Sequence, residues 1–177
     1  MPDPAPVRNA EHEKALRKFL GRWGPEVEEN AADKTPPDFQ EQCQALLDVK
    51  PMAVSSIMGV YQPDFVSRLK DRGIRWIANA STVHEAKLAE AEGADIIVAK
   101  SMEAGGHSGA FSPEDGLRQA VGAMSLIPAI ADAVSLPVIA TGGIADARTA
   151  MAALTLGASA VQIGTGFLRA PEAKIAT

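Results

Sequence analysis

The stretch richest in chemistry is Lys100-Ser101-Met102-Glu103-Ala104-Gly105-Gly106-His107-Ser108-Gly109. It follows an apolar run, and its three glycines let the backbone turn sharply and approach something closely. An imidazole with an ordinary pKa of about 6.5 takes or holds a proton near neutral pH, as general acid or base work requires. His107 is therefore the candidate catalytic residue, against the alternative of a solvated or hydrogen-bonded turn residue. Glu103 either orients His107 or caps the loop, and Lys100 either meets a phosphate or is solvated. His12 and His84 stand beside glutamates on helical segments and read as surface residues.

Two more segments carry glycine directly after an apolar run: Thr141-Gly142-Gly143-Ile144 and Gln162-Ile163-Gly164-Thr165. A Gly-Gly after a strand reads by itself as a tight turn. Two in register offer converging N–H groups from Gly142, Gly143, Gly164 and Thr165, each followed by an expected helix N-terminus. That is the phosphate site a β/α barrel builds after its last two strands. The sequence has no nucleophile elbow, no His-Glu-x-x-His spacing and no Gly-x-Gly-x-x-Gly turn, which leaves a metal-free site for a phosphorylated cofactor. Cys43 has no second thiol to pair with and reads as a structural residue on a helix.

Regularly alternating elements must position these groups. Five short apolar or β-branched runs, at residues 52–57, 75–79, 95–99, 137–141 and 160–164, each leave room for a helix before the next. Thr82 and Glu85 are spaced as a capping box before a helix ended by Gly93, and Asp146 caps a helix ended by Gly157. Continuous apolar strands imply burial on both faces, the pattern of a parallel sheet in an α/β protein. Residues 1–50 differ, with a proline-rich start, a charged helix at 11–22, a break at Pro36-Pro37 and an amphipathic helix at 39–47. The expected domains are a helical segment over 1–50 and a β/α portion over 51–177.

Composition narrows the function. With 46% hydrophobic and 22% charged residues the chain can build a core, and its net charge of −5 carries no block of one sign. Neither a nucleic acid nor an acidic membrane is the expected partner; a small molecule is. No leader or apolar span of about 18 residues is evident, so a cytoplasmic location is the expectation.

Glu103-Ala104-Gly105-Gly106-His107, Leu126-Ile127-Pro128, the run from Pro137 through Thr141-Gly142-Gly143-Ile144-Ala145-Asp146, Leu156-Gly157-Ala158 and Val161-Gln162-Ile163-Gly164-Thr165-Gly166-Phe167-Leu168 occur in an order and spacing that resembles the nitronate monooxygenases (2-nitropropane dioxygenases). The resemblance implies an FMN-dependent TIM-type β/α barrel, here partial, with about five parallel strands corresponding to strands 4 to 8. It implies oxidation of alkyl nitronates or nitroalkanes by molecular oxygen to a carbonyl compound and nitrite. By the same likeness His107 is the active-site histidine, Gly105 and Gly143 contact the flavin, and Gln162, Ile163, Gly164 and Thr165 hold the phosphate. Lys100 stands where the family often has glutamine, within reach of a phosphate or a flavin carbonyl. The motifs are shared with flavin-dependent enoyl-acyl-carrier-protein reductases, which would need NADH and a carrier-protein partner. A non-catalytic barrel fragment that self-associates is the reading from another class, and homo-oligomerisation over the open barrel edges is expected in either case.

Overall fold

The computed structural model describes residues 8–25, 27–32, 38–112 and 120–174. The proline-rich start at 1–6 and the break at Pro36-Pro37 lie outside the described residues. The chain divides into two compact units, Met1–Ala45 and Leu46–Thr177.

In the first unit, α1 (Ala10–Leu20) starts where the Asn9 side chain accepts the His12 amide. Glu11 and Glu13 in its first turn and Arg17 and Lys18 in its last match the helix dipole. It ends at Leu20, two residues short of the expected boundary, with Gly21 as its C-cap, and none of its residues is buried. The next helix, α2 (Phe39–Val49), begins at Asp38, whose carboxylate accepts the amides of Gln40 and Glu41. Cys43 is buried on it, as a structural residue should be.

The second unit is a five-stranded parallel sheet in chain order: β1 (Ala53–Ser56), β2 (Arg75–Ala80), β3 (Ile96–Lys100), β4 (Val138–Thr141) and β5 (Ala160–Gln162). Between them run α3 (Pro63–Asp71), α4 (Val83–Ala91), α5 (Ala123–Ala131) and α6 (Ala147–Thr155). Because the order never reverses, right-handed crossovers place every helix on one side, which is barrel topology and excludes a doubly wound sheet. The fold is a partial TIM-type β/α barrel.

The ladder register separates two faces. Val54, Trp76, Ala78, Ile97, Ala99, Val138 and Ala140 stand in paired rows on the buried, helix-facing side. There Ala140 joins Ile127 of α5 and Ala153 of α6 in one cluster, and the Trp76 indole N–H donates to Ser56 at 3.0 Å. Burying a large apolar side chain contributes about 1.5–3 kcal/mol, so this layer carries the stability of the unit. The opposite face holds Ile77, Asn79, Val98, Ile139, Thr141, Ala160 and Gln162, and most of these are half-buried or exposed. Burial on both faces therefore holds along β3 but not across the sheet, because the described helices cover one side of the arc. Among the described residues, the outer edges of β1 and β5 have no strand partner.

Helix ends follow the chemistry of the caps. Thr82 and Glu85 form a reciprocal capping box for α4, as do Asp146 and Thr149 for α6. Gly93 and Gly157 adopt φ of +96° and +103° just beyond the two helices, a conformation that side chains resist. Tyr61 donates its hydroxyl to the Ser55 carbonyl and packs edge-on against Phe65, while Pro63 opens α3. That connection is accordingly a structural turn.

Candidate active site

The site lies at the C-terminal ends of β2 to β5, where register brings Lys100, Thr141 and Gln162 into one cross-strand row. The strand that precedes the histidine loop runs one residue further than its apolar run, to Lys100. Since Ala99 faces the helices with Ala140, Lys100 faces the inner side. It is 7% exposed, and its ammonium reaches back to the carbonyl oxygens of Ala104 (3.5 Å) and Gly105 (3.4 Å). Burial pulls the ammonium below the ordinary lysine pKa. Lys100 thus underpins the loop instead of standing free in solvent.

The rising limb of that loop docks on β4. The Ser101 amide and hydroxyl both donate to the Thr141 carbonyl, at 3.1 and 3.0 Å. Glu103 turns away toward α5 and accepts the amide of Ala123, the first helical residue, at 3.1 Å. Burial opposes the charge on Glu103, but hydrogen bonds from Ser101 and from the Glu103 and Ala123 amides outweigh it, and the carboxyl sits below its ordinary pKa. Of the two roles expected for Glu103, capping is the one the geometry displays. Beyond it, a Cβ built on Gly105 would lie 3.1 Å from the Thr165 hydroxyl, so the loop also packs against the turn after β5. His107 is exposed at the apex, with no hydrogen bond to the described residues. Its imidazole is available to a ligand.

The two glycine turns divide the work differently from one another. At Gly142 (φ +112°) a Cβ would fall 2.0 Å from the Ser101 hydroxyl oxygen and 2.8 Å from the Ala104 amide nitrogen. This glycine exists to let two loops touch, and an incoming anion cannot use that space. Gly143 (φ +67°) has the backbone sign that favours glycine, with Glu103 at ordinary contact distance. Gly164, at φ −105°, has nothing within 4 Å of where its Cβ would be. That is the open position.

The amides of Gly142, Gly143, Ile144, Gly164, Thr165 and Gly166 donate no hydrogen bond within the described residues. Gly142 and Gly166 are half-buried and Ile144 is buried, whereas Gly143, Gly164 and Thr165 are exposed, so the last three amides are open donors at adjacent strand ends, accessible to an anionic group. The expected helix N-termini do not add to this cradle. The start of α6 is already taken by the Asp146 carboxylate, which accepts the Thr149 amide at 3.0 Å, and β5 stops at Gln162 and leads into a short 3-10 helix, Thr165–Arg169. Ile163 and Gly164 therefore belong to the turn, not the strand. The open amides described above belong to the two turns.

Sequence reasoning missed two residues that shape this site. Ser81 donates its hydroxyl to the Ser108 carbonyl at 2.9 Å, and Glu85 accepts the Phe111 amide at 2.7 Å. Glu85 carried a capping signal that concealed its second task. Among the described residues no group of histidines, cysteines or carboxylates is arranged to hold a metal, and no helix is long and apolar enough to cross a membrane.

Comparison with known proteins gives the family and the fold. The family model described as nitronate monooxygenase matches residues 4–177. The chain is 50% identical over 131 residues to a probable nitronate monooxygenase of Bacillus subtilis, covering 74% of this chain and 38% of that protein. It is 50% identical over 127 residues to a nitronate monooxygenase of Pseudomonas aeruginosa, covering 72% of this chain and 36% of that protein. The chain thus spans less than two-fifths of these relatives. Among solved structures it resembles nitroalkane oxidase from Streptomyces ansochromogenes, with a TM-score of 0.72, 32% identity, and coverage of 90% of this chain and 45% of that one. FabK from Thermotoga maritima is also similar, with a TM-score of 0.60, 26% identity, and coverage of 92% and 49%.

Proposed function

The chain belongs to the nitronate monooxygenase family, and from that premise we propose that it forms the flavin-binding part of a barrel that oxidises alkyl nitronates with molecular oxygen to a carbonyl compound and nitrite. The observation that carries this reading is the set of unclaimed amides after β4 and β5, with the glycine-flanked His107 loop packed against the same turns. The proposed cofactor is FMN. Its phosphate would be held by the amides of Gly143, Gly164 and Thr165, with Gly142, Gln162 and Ile163 setting the path of the two turns. Gly105 and Gly143 would leave room for the ring. The flavin, when bound, supplies the electron transfer between nitronate and oxygen.

The remaining chemistry falls to the chain's own side chains. The His107 imidazole takes the α-carbon proton from a substrate that arrives as a neutral nitroalkane. A preformed nitronate has already lost that proton and uses His107 as a hydrogen-bonding group alone. Lys100 acts on the site through the carbonyls of Ala104 and Gly105, which its ammonium holds. A cytoplasmic location belongs to the same proposal, as does association through the open edges of β1 and β5, either with a second copy or with further chain.

The visible spectrum of the purified protein after incubation with FMN tests the cofactor assignment, and oxygen uptake with nitrite release on adding a nitronate tests the reaction. A protein that stays colourless, or one that oxidises NADH in the presence of an enoyl thioester and ignores nitronates, overturns the reading. The first outcome favours a non-catalytic fragment and the second the reductase.

A further inference from the structure

Glu85 is a carboxylate only 4% exposed, and no cation among the described residues pairs with it. A capping box needs one of its oxygens. That oxygen, Oε2, accepts the Ser81 amide at 2.7 Å and the Thr82 amide at 3.1 Å. Helix capping leaves the other oxygen unexplained. Oε1 accepts the Phe111 amide at 2.7 Å, 26 residues further along the chain, at the foot of the loop that carries His107.

Among the described residues, the falling limb of that loop is tied through Ser81 as well as through Glu85. Ser81, whose amide Glu85 holds, donates its hydroxyl to Ser108, the residue after His107. Gly109, at φ +82°, sits where a Cβ would come within 2.9 Å of the Lys100 side chain and 3.2 Å of the Ser81 hydroxyl, and both Gly109 and Ala110 are buried. The rising limb is fixed separately on Thr141 and Gly142. His107 is therefore the apex of a strap tied down at both ends, and its exposed side chain has no tie of its own. Charge-assisted bonds from amides to a desolvated carboxylate are the strong kind.

We propose that Glu85 is a positioning residue for His107, fixing the falling limb of the loop through the Phe111 amide and the Ser81 hydroxyl. The inference rests on the proposed role of His107 for its catalytic consequence, but not for its structural one. Shortening the side chain in Glu85→Asp keeps the charge and an acid in the first helical turn, yet withdraws the carboxylate from an amide it now reaches at 2.7 Å. Thr82→Ala is the control, because it breaks the other half of the capping box and leaves Phe111 untouched.

Amide hydrogen exchange of the whole chain reads the strap directly. Exchange at Gly109 to Phe111 should quicken at least about tenfold in Glu85→Asp and in Glu85→Ala, and stay at the wild-type rate in Thr82→Ala. The His107 ring resonance, one of three histidines and identified by its loss in His107→Ala, should shift in the Glu85 variants alone. Where the wild-type chain turns over, kcat should fall in Glu85→Asp with KM nearly unchanged. Unaltered exchange at Phe111 in both Glu85 variants, or an equal loosening in Thr82→Ala, overturns the proposal. If the wild-type chain binds no flavin, the proposed function fails, while exchange and the histidine resonance still decide the role of Glu85.

Discussion

The turns after β4 and β5 and the loop after β3 face the same site but are built in opposite ways. The turns work by omission, with Gly143 and Gly164 presenting bare amides and Gly142 vacating space for Ser101 and Ala104. The loop works by attachment, with Lys100, Ser81, Glu85 and Glu103 each holding a stretch of its backbone or of the adjoining helix. A backbone cradle needs no side chains because its donors are peptide groups, whereas a loop that lifts one imidazole clear of its neighbours must be held by everything except that imidazole. Adding atoms should therefore damage the turns, and removing them should damage the loop.

The largest effect expected from this contrast is on stability. Gly142→Ala places a Cβ 2.0 Å from the Ser101 hydroxyl oxygen at a positive φ, so it should cost about 3 kcal/mol in chemical denaturation. A cost below about 1 kcal/mol would mean that the two loops yield easily and that their contact is not what fixes the site. Next in size is His107→Ala, which should lose roughly 100-fold in turnover of neutral nitroalkanes, about 2.7 kcal/mol of barrel-mouth catalysis. It should lose less on preformed nitronates and leave FMN affinity nearly unchanged. Equal rates for variant and wild type on both substrates would return His107 to the status of a turn residue.

A smaller effect sharpens the comparison within the turns themselves. Gly164→Ala meets no atom within 4 Å, so the fold should be kept while FMN affinity, followed by flavin fluorescence titration, drops about tenfold, or 1.4 kcal/mol. Unchanged affinity would move the phosphate away from this turn. Gly143 is a poorer test, since at φ +67° any side chain strains the backbone whether or not an anion binds there.

The smallest effect concerns Glu103. Its folded carboxyl is held below the ordinary glutamate pKa of about 4.3, so the unfolded chain binds its proton first as the pH falls. The stabilisation is fully present above that ordinary value and is lost as pH drops through the lower, folded one. Glu103→Gln should thus lower the melting temperature slightly at pH 7, and the gap to wild type should close in acid. A gap that persists at pH 2 would assign the loss to packing instead of charge.

Much of the fold was legible because its signals are local. Five apolar runs marked five strands to within a residue or two, and Thr82, Glu85, Gly93, Asp146 and Gly157 marked helix ends, since capping and positive φ depend on residues a few positions apart. Every strand shifted by a residue or two at one end or both, and the shifts that bear on the site are those at the ends of β3 and β5. The ladder with Thr141 draws Lys100 into β3, and β5 ends at Gln162 where its pairing with β4 runs out.

The sequence by itself determined the alternation of strand and helix, the three glycine-bearing segments and the histidine among them. Tertiary structure decided what each residue does there. Gly142 and Gly164 look alike in sequence, but one faces Ser101 across a crowded contact and the other faces open space. Lys100 could have met solvent, and alternation with Ala99 along β3 turned it to the inner face beneath the loop. Glu85 carried the signature of a helix cap, and only the return of the chain at Phe111 engaged its second oxygen. A cap is complete within one turn of helix, whereas a contact across 26 residues exists only once the sheet has brought its strand ends together.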